Sequence, residues 1–274
     1  MNNIKYRNFQ LSVVALEFAL YSYYYNKEKG RNIHSSIGHE ITAYLLTSIL
    51  NVEDASLMLY YRSHAWLLGL GISFKEIINE IKGNKNSLQK GQGGTMNLFL
   101  HPSIIDCNSI IGAQIPIAVG AAFANKTLKK QTICVLGDGA TNTGVFFESL
   151  NIVSLYKLPI LFIIENNEIA INTSYSKTSA IDIKAKFELF SITCFEVSLN
   201  SGFETTSSII SDAIVLSKTR PVSIIFQLER IGAHTVSMER NFDEIINKYN
   251  LSANEKLKFN VIYEECKTLL NTED

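Results

Sequence analysis

The sequence predicts an α/β fold built on an open, mainly parallel sheet flanked by helices. Short apolar runs of strand length alternate with longer stretches that place apolar residues at helical spacing. Two of those runs end in turn residues, Gly137-Asp138-Gly139 and Glu165-Asn166-Asn167, and one helical stretch joins them, which is the pattern of a parallel crossover. With 274 residues, 46% of them hydrophobic, the chain can bury a core of the size such a sheet needs. No repeat, linker or low-complexity tract interrupts the alternation, so a single domain over 1–274 with short helical ends is expected.

Charge and cysteine usage narrow the function. Lys and Arg number 25 against 26 acidic residues, so nothing marks a partner of nucleic acid or of an anionic membrane. The four cysteines, Cys107, Cys134, Cys194 and Cys266, lie far apart without metal spacing, which suits a reducing, cytoplasmic setting.

Leu11 to Tyr25 is apolar behind Lys5 and Arg7, but Glu17 interrupts it, and it is too short to span a bilayer. A helix packed on this or another chain is expected, with Tyr23 to Tyr25 as core, edge or partner surface. His34 and Gly38-His39-Glu40 lead into a second helix, Ile41 to Leu50. His34 is either a capping or solvated residue or part of a site. The stretch before Tyr60 reads as helical. Behind it, Tyr61 and Arg62 could grip a diphosphate, Arg by its bidentate fork and Tyr by one hydroxyl. Lys90 to Asn97 is a glycine-rich loop, able to cradle anions or simply mobile. The run from Ile117 to Asn125 is rich in small residues and reads as a helix leading into the central strand.

The central unit follows. Thr132 to Leu136 reads as a strand, Thr141 to Tyr156 as a helix through Val145, Phe146, Leu150, Val153 and Leu155, and Pro159 to Ile164 as the next strand. A right-handed crossover brings Asp138 and Asn167 to one sheet edge, beside the free N–H groups of a helix amino terminus near Asn142. A carboxylate and an amide oxygen there are the hard ligands magnesium takes while phosphate oxygens complete its shell. The residues thus point to a magnesium diphosphate site, with an ordinary tight turn as the alternative. The nucleotide pattern G-x-G-x-x-G is not in register. Strands at Phe195 to Val197 and Val222 to Leu228, a helix at Thr205 to Ser217 and terminal helices at Phe242 to Tyr249 and Asn254 to Leu270 complete the alternation.

Gly137-Asp138-Gly139-Ala140, Asn142, Gly144, Glu148, Asn151, Leu158-Pro159 and Glu165-Asn166-Asn167 resemble the alpha subunit of the thiamine diphosphate-dependent decarboxylating component of 2-oxo acid dehydrogenases, a family that includes pyruvate and acetoin dehydrogenases. The resemblance runs from about Lys29 to Thr235. It implies a thiamine diphosphate-binding fold and the cofactors thiamine diphosphate and Mg2+. The metal ligands it implies are Asp138, Asn167 and the backbone oxygen of Ile169, where the family has tyrosine. Cofactor contacts would come from Tyr61, Arg62, Ser109, Ile111, Gly137, Asp138, Gly139, Ala140, Asn167, Ile169 and His234. Catalytic roles would fall to His34, His64 and His234, the last donating a proton near neutral pH. Ser109 replaces a glycine, His39 a glutamine and Asn97 a histidine, and the family's D-P-containing loop after Thr235 is missing.

The implied function is decarboxylation of a 2-oxo acid, pyruvate first, with the acyl unit passed to lipoamide, the cofactor acting as electron sink. The glutamate that activates the cofactor comes from a beta subunit in this family, so a heterotetramer of two alpha and two beta chains is implied, with a lipoyl-bearing acyltransferase as a further partner. One alternative is a two-subunit thiamine enzyme transferring a two-carbon acyl or ketol unit to a small molecule or carrier protein, which the shortened ends and Asn97 favour. The other is a non-catalytic scaffold subunit.

Overall fold

The computed structural model describes residues 4–25, 32–198, 201–231, 234–235 and 242–272. In chain order the elements are α1 (Ile4–Tyr25), α2 (Glu40–Ile49), β1 (Ala55–Tyr60), α3 (His64–Gly69), α4 (Phe74–Lys82), β2 (Ile104–Asn108), α5 (Gln114–Leu128), β3 (Gln131–Gly137), α6 (Gly144–Leu155), β4 (Ile160–Asn166), β5 (Ile169–Ala170), β6 (Thr173–Ser174), α7 (Ile183–Leu189), β7 (Thr193–Val197), α8 (Phe203–Ser217), β8 (Val222–Gln227), α9 (Phe242–Tyr249) and α10 (Ala253–Asn271). Contacts group the chain into two compact units, one of Leu45–Tyr60 and Pro102–Glu229, the other of Asn2–Tyr44, Tyr61–His101 and Arg230–Asp274. The loop at Ser237 to Arg240 lies outside the described residues.

The first unit holds a six-stranded sheet in the order β2-β1-β3-β4-β8-β7, every neighbouring pair parallel. Its centre is β3 and β4, near-continuous apolar runs because helices cover both faces of a parallel sheet. Met58, Cys134, Leu136, Phe146, Leu150, Phe162, Ile164 and Phe187 form the middle of the core cluster. The crossover from β3 through α6 to β4 is the one expected, with Gly137 opposite Glu165. The helix expected from Thr141 begins later, at Gly144. Asp138–Asn142 instead forms a tight 3-10 turn, closed by Thr141 Oγ1 donating to Asp138 O at 2.7 Å and Thr143 Oγ1 to Ala140 O at 2.8 Å.

One expectation is corrected. The stretch before Tyr60 is not helical but β1, paired between β2 and β3. Its residues, Ala-Ser-Leu-Met-Leu-Tyr, include good helix formers, yet all six are buried. A strand buried on both faces shows no alternation, so periodicity could not separate the two states, and burial in the sheet overrides propensity.

In the second unit α1 packs along α10, and Leu11, Val14, Ala15, Phe18, Ile245, Tyr249 and Phe259 form its cluster. The apolar run of α1 is therefore core of this chain. Phe18 lies 4.4 Å from Phe242 and 5.5 Å from Phe259, ring to ring. A capping box, Ser252 with Glu255, opens α10, and Arg7 Nε donates to Glu255 at 2.6 Å. Among the described residues no helix is long and apolar enough to cross a membrane.

Glu40, 2% exposed at the start of α2, accepts from Tyr249 Oη at 2.6 Å and Gly38 N at 3.1 Å. Burial raises its carboxyl to about 7, over the opposing pull of those two hydrogen bonds. The folded state thus holds a proton that the unfolded chain releases. Stability from this group is present below about pH 4.5 and is lost as pH rises through about 7. Glu40→Gln keeps the shape without the charge. In urea titrations at pH 5 and pH 7.5 its stability is expected to gain on wild type at the higher pH, and equal differences at both would refute this.

Candidate functional site

At the carboxyl edge of the first unit, β3 ends at Gly137 and Asp138 follows, 4% exposed. Tyr60 at the end of β1 and Glu165 near the end of β4 flank β3, and Tyr60 Oη donates to Glu165 Oε2 at 2.5 Å. The bond therefore spans β3 at Gly137, where a Cβ would stand 3.8 Å from the tyrosine ring.

The two asparagines that follow have different duties. Asn166 Nδ2 donates to Gln227 Oε1 on β8 at 2.7 Å, tying that side chain to the neighbouring strand. Asn167 Oδ1 accepts from Ile169 N at 3.2 Å and shapes the loop into β5. Ile169 pairs with Ser174 across the β5–β6 hairpin. Glu168 and Ile171 in this loop take left-handed backbone angles, φ 59° and 55°. For the β-branched Ile171 that conformation is strained by about 1–3 kcal/mol.

Beside this loop the amino terminus of α6 carries no side-chain cap. Ser109 and Ile111 lie in the turn that leads to α5, and the Gly112 between Ile111 and α5 stands at φ 82°, where a Cβ would meet Thr143 Oγ1 at 3.0 Å. Only glycine lets that turn close on the start of α6. Gln114 donates to Val135 O at 3.1 Å, anchoring α5 on β3.

Among the described residues no group of three His, Cys, Asp or Glu side chains is placed to hold a metal. A donor set of one carboxylate, one amide and a backbone oxygen, next to an uncapped helix start, instead fits Mg2+ carrying a diphosphate. Asp138, Asn167 and Ile169 belong to this unit with Gly137, Gly139, Ala140, Ser109 and Ile111.

The second unit gathers the other group. The His34 ring lies 4.4 Å from Tyr61 and 4.9 Å from His234, and Arg62 stands 5.8 Å from the Tyr61 ring centre. Arg62, 3% exposed, donates to Ser35 O. Burial, with Arg62 beside it, lowers the His34 imidazole to about 3, and burial with Arg62 and Arg230 lowers His234 to about 4. Titration of His234 near neutrality, expected from the sequence, is therefore corrected: both rings are neutral at pH 7.

His64 opens α3, fully buried, and its Nδ1 lies 3.0 Å from Glu17 Oε1, which also accepts from Ser36 N at 2.7 Å. A carboxylate on Nδ1 fixes the ring's orientation and leaves Nε2 for other work. The sequence shows Glu17 only as an interruption of an apolar run; a charge on a buried helix face is the signal that could have found it. Nδ1 of His34, Nδ1 of His234 and Nε2 of His64 are all buried without a hydrogen-bond partner among the described residues.

The glycine-rich loop is also organised by an acid the sequence hides. Glu80, fully buried on α4, accepts from Ser87 Oγ at 2.5 Å, Gln89 N at 3.0 Å, Gly91 N at 3.3 Å and Gly93 N at 2.8 Å. The loop is therefore built around a carboxylate.

A six-stranded parallel sheet flanked by helices, with an acidic turn at its carboxyl edge, defines an α/β protein of the open-sheet class. The fold is that of transketolase from Leishmania mexicana, matched at a TM-score of 0.67 over 96% of this chain and 45% of that one, at 17% identity. The family model for the dehydrogenase E1 component matches residues 10–198, and the chain belongs to that family. It is 36% identical over 173 residues to the mitochondrial pyruvate dehydrogenase E1 component subunit alpha of Schizosaccharomyces pombe, covering 62% of this chain and 42% of that protein. It is 33% identical over 216 residues to the pyruvate dehydrogenase E1 component subunit alpha of Rickettsia bellii, covering 77% and 66%. The chain thus spans from under half to about two thirds of the length of these relatives.

Proposed function

We propose that this chain, as one thiamine diphosphate-binding domain, is the alpha subunit of a cytoplasmic 2-oxo acid dehydrogenase that is active only with a beta subunit. It decarboxylates a 2-oxo acid, pyruvate first, and passes the acyl unit to lipoamide on an acyltransferase. Family membership and the named relatives support this reading. The observation that carries it within the chain is the set of three buried imidazole nitrogens on His34, His64 and His234 that no group among the described residues uses.

When bound, thiamine diphosphate supplies the electron sink for decarboxylation. Asp138, Asn167 and the Ile169 carbonyl would hold Mg2+, with Gly137, Gly139, Ala140, Ser109 and Ile111 contributing backbone around the cofactor. Tyr61, Arg62 and His234 would hold its diphosphate. His34 and His234 enter as neutral rings kept so in part by Arg62. An anion brought against Arg62 offsets that part of the lowering, while burial, the larger cause, still holds both rings below the ordinary imidazole value. His64, oriented by Glu17, would present Nε2 to the substrate.

The test is calorimetric titration of thiamine diphosphate with Mg2+ into the chain, alone and mixed with its beta partner. Binding that needs the partner is the expected result. No heat in either mixture would overturn the assignment.

A further inference from the structure

Lys186 on α7 is 1% exposed. Its Nζ donates to Thr141 O at 3.1 Å, Asn142 Oδ1 at 2.5 Å and Tyr175 Oη at 2.7 Å, with Thr141 Oγ1 at 3.4 Å. The rings of Tyr175 and Phe147 lie 5.1 and 5.7 Å away. All of these partners are neutral, and Lys186 takes part in none of the ion pairs found among the described residues. A buried lysine without a carboxylate is costly and rare, so its retention needs a reason.

The connections supply one. Thr141 and Asn142 belong to the turn that carries Asp138. Tyr175 belongs to the other segment: its N–H donates to Glu168 O at 2.8 Å, in the loop that carries Asn167 and Ile169. Thr141 Oγ1 and Tyr175 Oη lie 3.2 Å apart, which closes the ring of contacts. Lys186 bonds to both segments at once.

We propose that Lys186 is a positioning residue for the magnesium diphosphate site. It fixes the Asp138 turn against the Asn167 loop and leaves its positive charge to be offset by a bound anion. The proposal rests on the functional reading above and adds to it a residue from outside the motif. Outer-shell groups of this kind set metal affinity by about 10–100-fold.

The experiment titrates thiamine diphosphate with Mg2+, and separately inorganic pyrophosphate with Mg2+, into the full chain with its beta partner. Wild type, Lys186→Met, Lys186→Arg and Tyr175→Phe are compared at low and high salt. Lys186→Met is expected to weaken both ligands about 10–100-fold and to flatten the salt dependence of binding. Lys186→Arg is expected to keep the salt dependence while losing part of the affinity, a split that a purely structural role would not produce. Binding by Lys186→Met within twofold of wild type, with wild-type salt dependence, would overturn the proposal while leaving the cofactor assignment intact. If Lys186→Met does not fold, Tyr175→Phe decides: weaker binding supports the proposal, and binding within twofold of wild type overturns it. A wild-type chain that binds neither ligand removes the assignment and the proposal together.

Discussion

Asp138→Ala is expected to reduce affinity for magnesium thiamine diphosphate by at least about a hundredfold, because a magnesium site that relies on one or two carboxylates loses its charge with the first of them. Asp138 is the acidic member of the proposed donor set, 4% exposed after the end of β3. Stability should move differently. The role assigned to Asp138 is to hold a ligand, so without ligand the substituted chain is expected to unfold at close to the wild-type urea concentration. Calorimetry for binding and urea titration without ligand give the two readings. Binding within tenfold of wild type would remove Asp138 from the site. A large loss of stability in the absence of ligand would show it to be a structural carboxylate.

Glu80→Ala carries the second large effect, and here the loss is in folding. The carboxylate accepts four hydrogen bonds, three from backbone N–H groups of the loop; without it Gln89 N and Gly93 N lose this acceptor, while Ser87 Oγ keeps Asn84 O and Gly91 N keeps Ser87 Oγ. Breaking a buried charged interaction of this kind costs about 3–5 kcal/mol. Gly91 adds to the demand on this loop: a Cβ there would lie 2.3 Å from Gly83 C, so the backbone has no second way to pack. Urea titration should show the loss, and limited proteolysis should show cleavage within 84–94. Glu80→Gln, which keeps one oxygen acceptor, should lose roughly half as much. An alanine variant within about 1 kcal/mol of wild type would contradict this account.

The sequence made the central crossover legible for local reasons. A buried strand that stops at glycine, a helix that stops before a proline and a second strand that stops at asparagine each leave a mark within a few residues. The Asp138 turn and the Asn167 loop are therefore placed at one edge by the sequence alone. What stayed hidden depends on distant partners. Strand β1 is uniformly buried and so carries no period. Glu17 looks like a charge misplaced in an apolar run, and Glu80 and Lys186 look like ordinary charges on short mixed helices, until Ser36 and His64, the glycine loop, and the Asp138 turn are seen around them. The neutral state of His34 and His234 was also out of reach, because Arg62 and burial set it and a residue type alone gives only the unperturbed value.

The Tyr60–Glu165 bond also bears on how this chain can change over generations. Positions 105 apart in sequence meet across a strand that neither belongs to, so their substitutions are not independent. Tyr60→Phe takes a donor from a fully buried carboxylate, and Glu165→Gln alters the acceptor that a nearly buried phenol has to face. Either step alone is a loss, and the two together are expected to cost less than their sum, because neither group is then left facing an unmatched partner across β3. Descendants of this sequence should therefore keep both residues or exchange both, and the order of mutation, more than the final composition, decides which lineages reach the alternative.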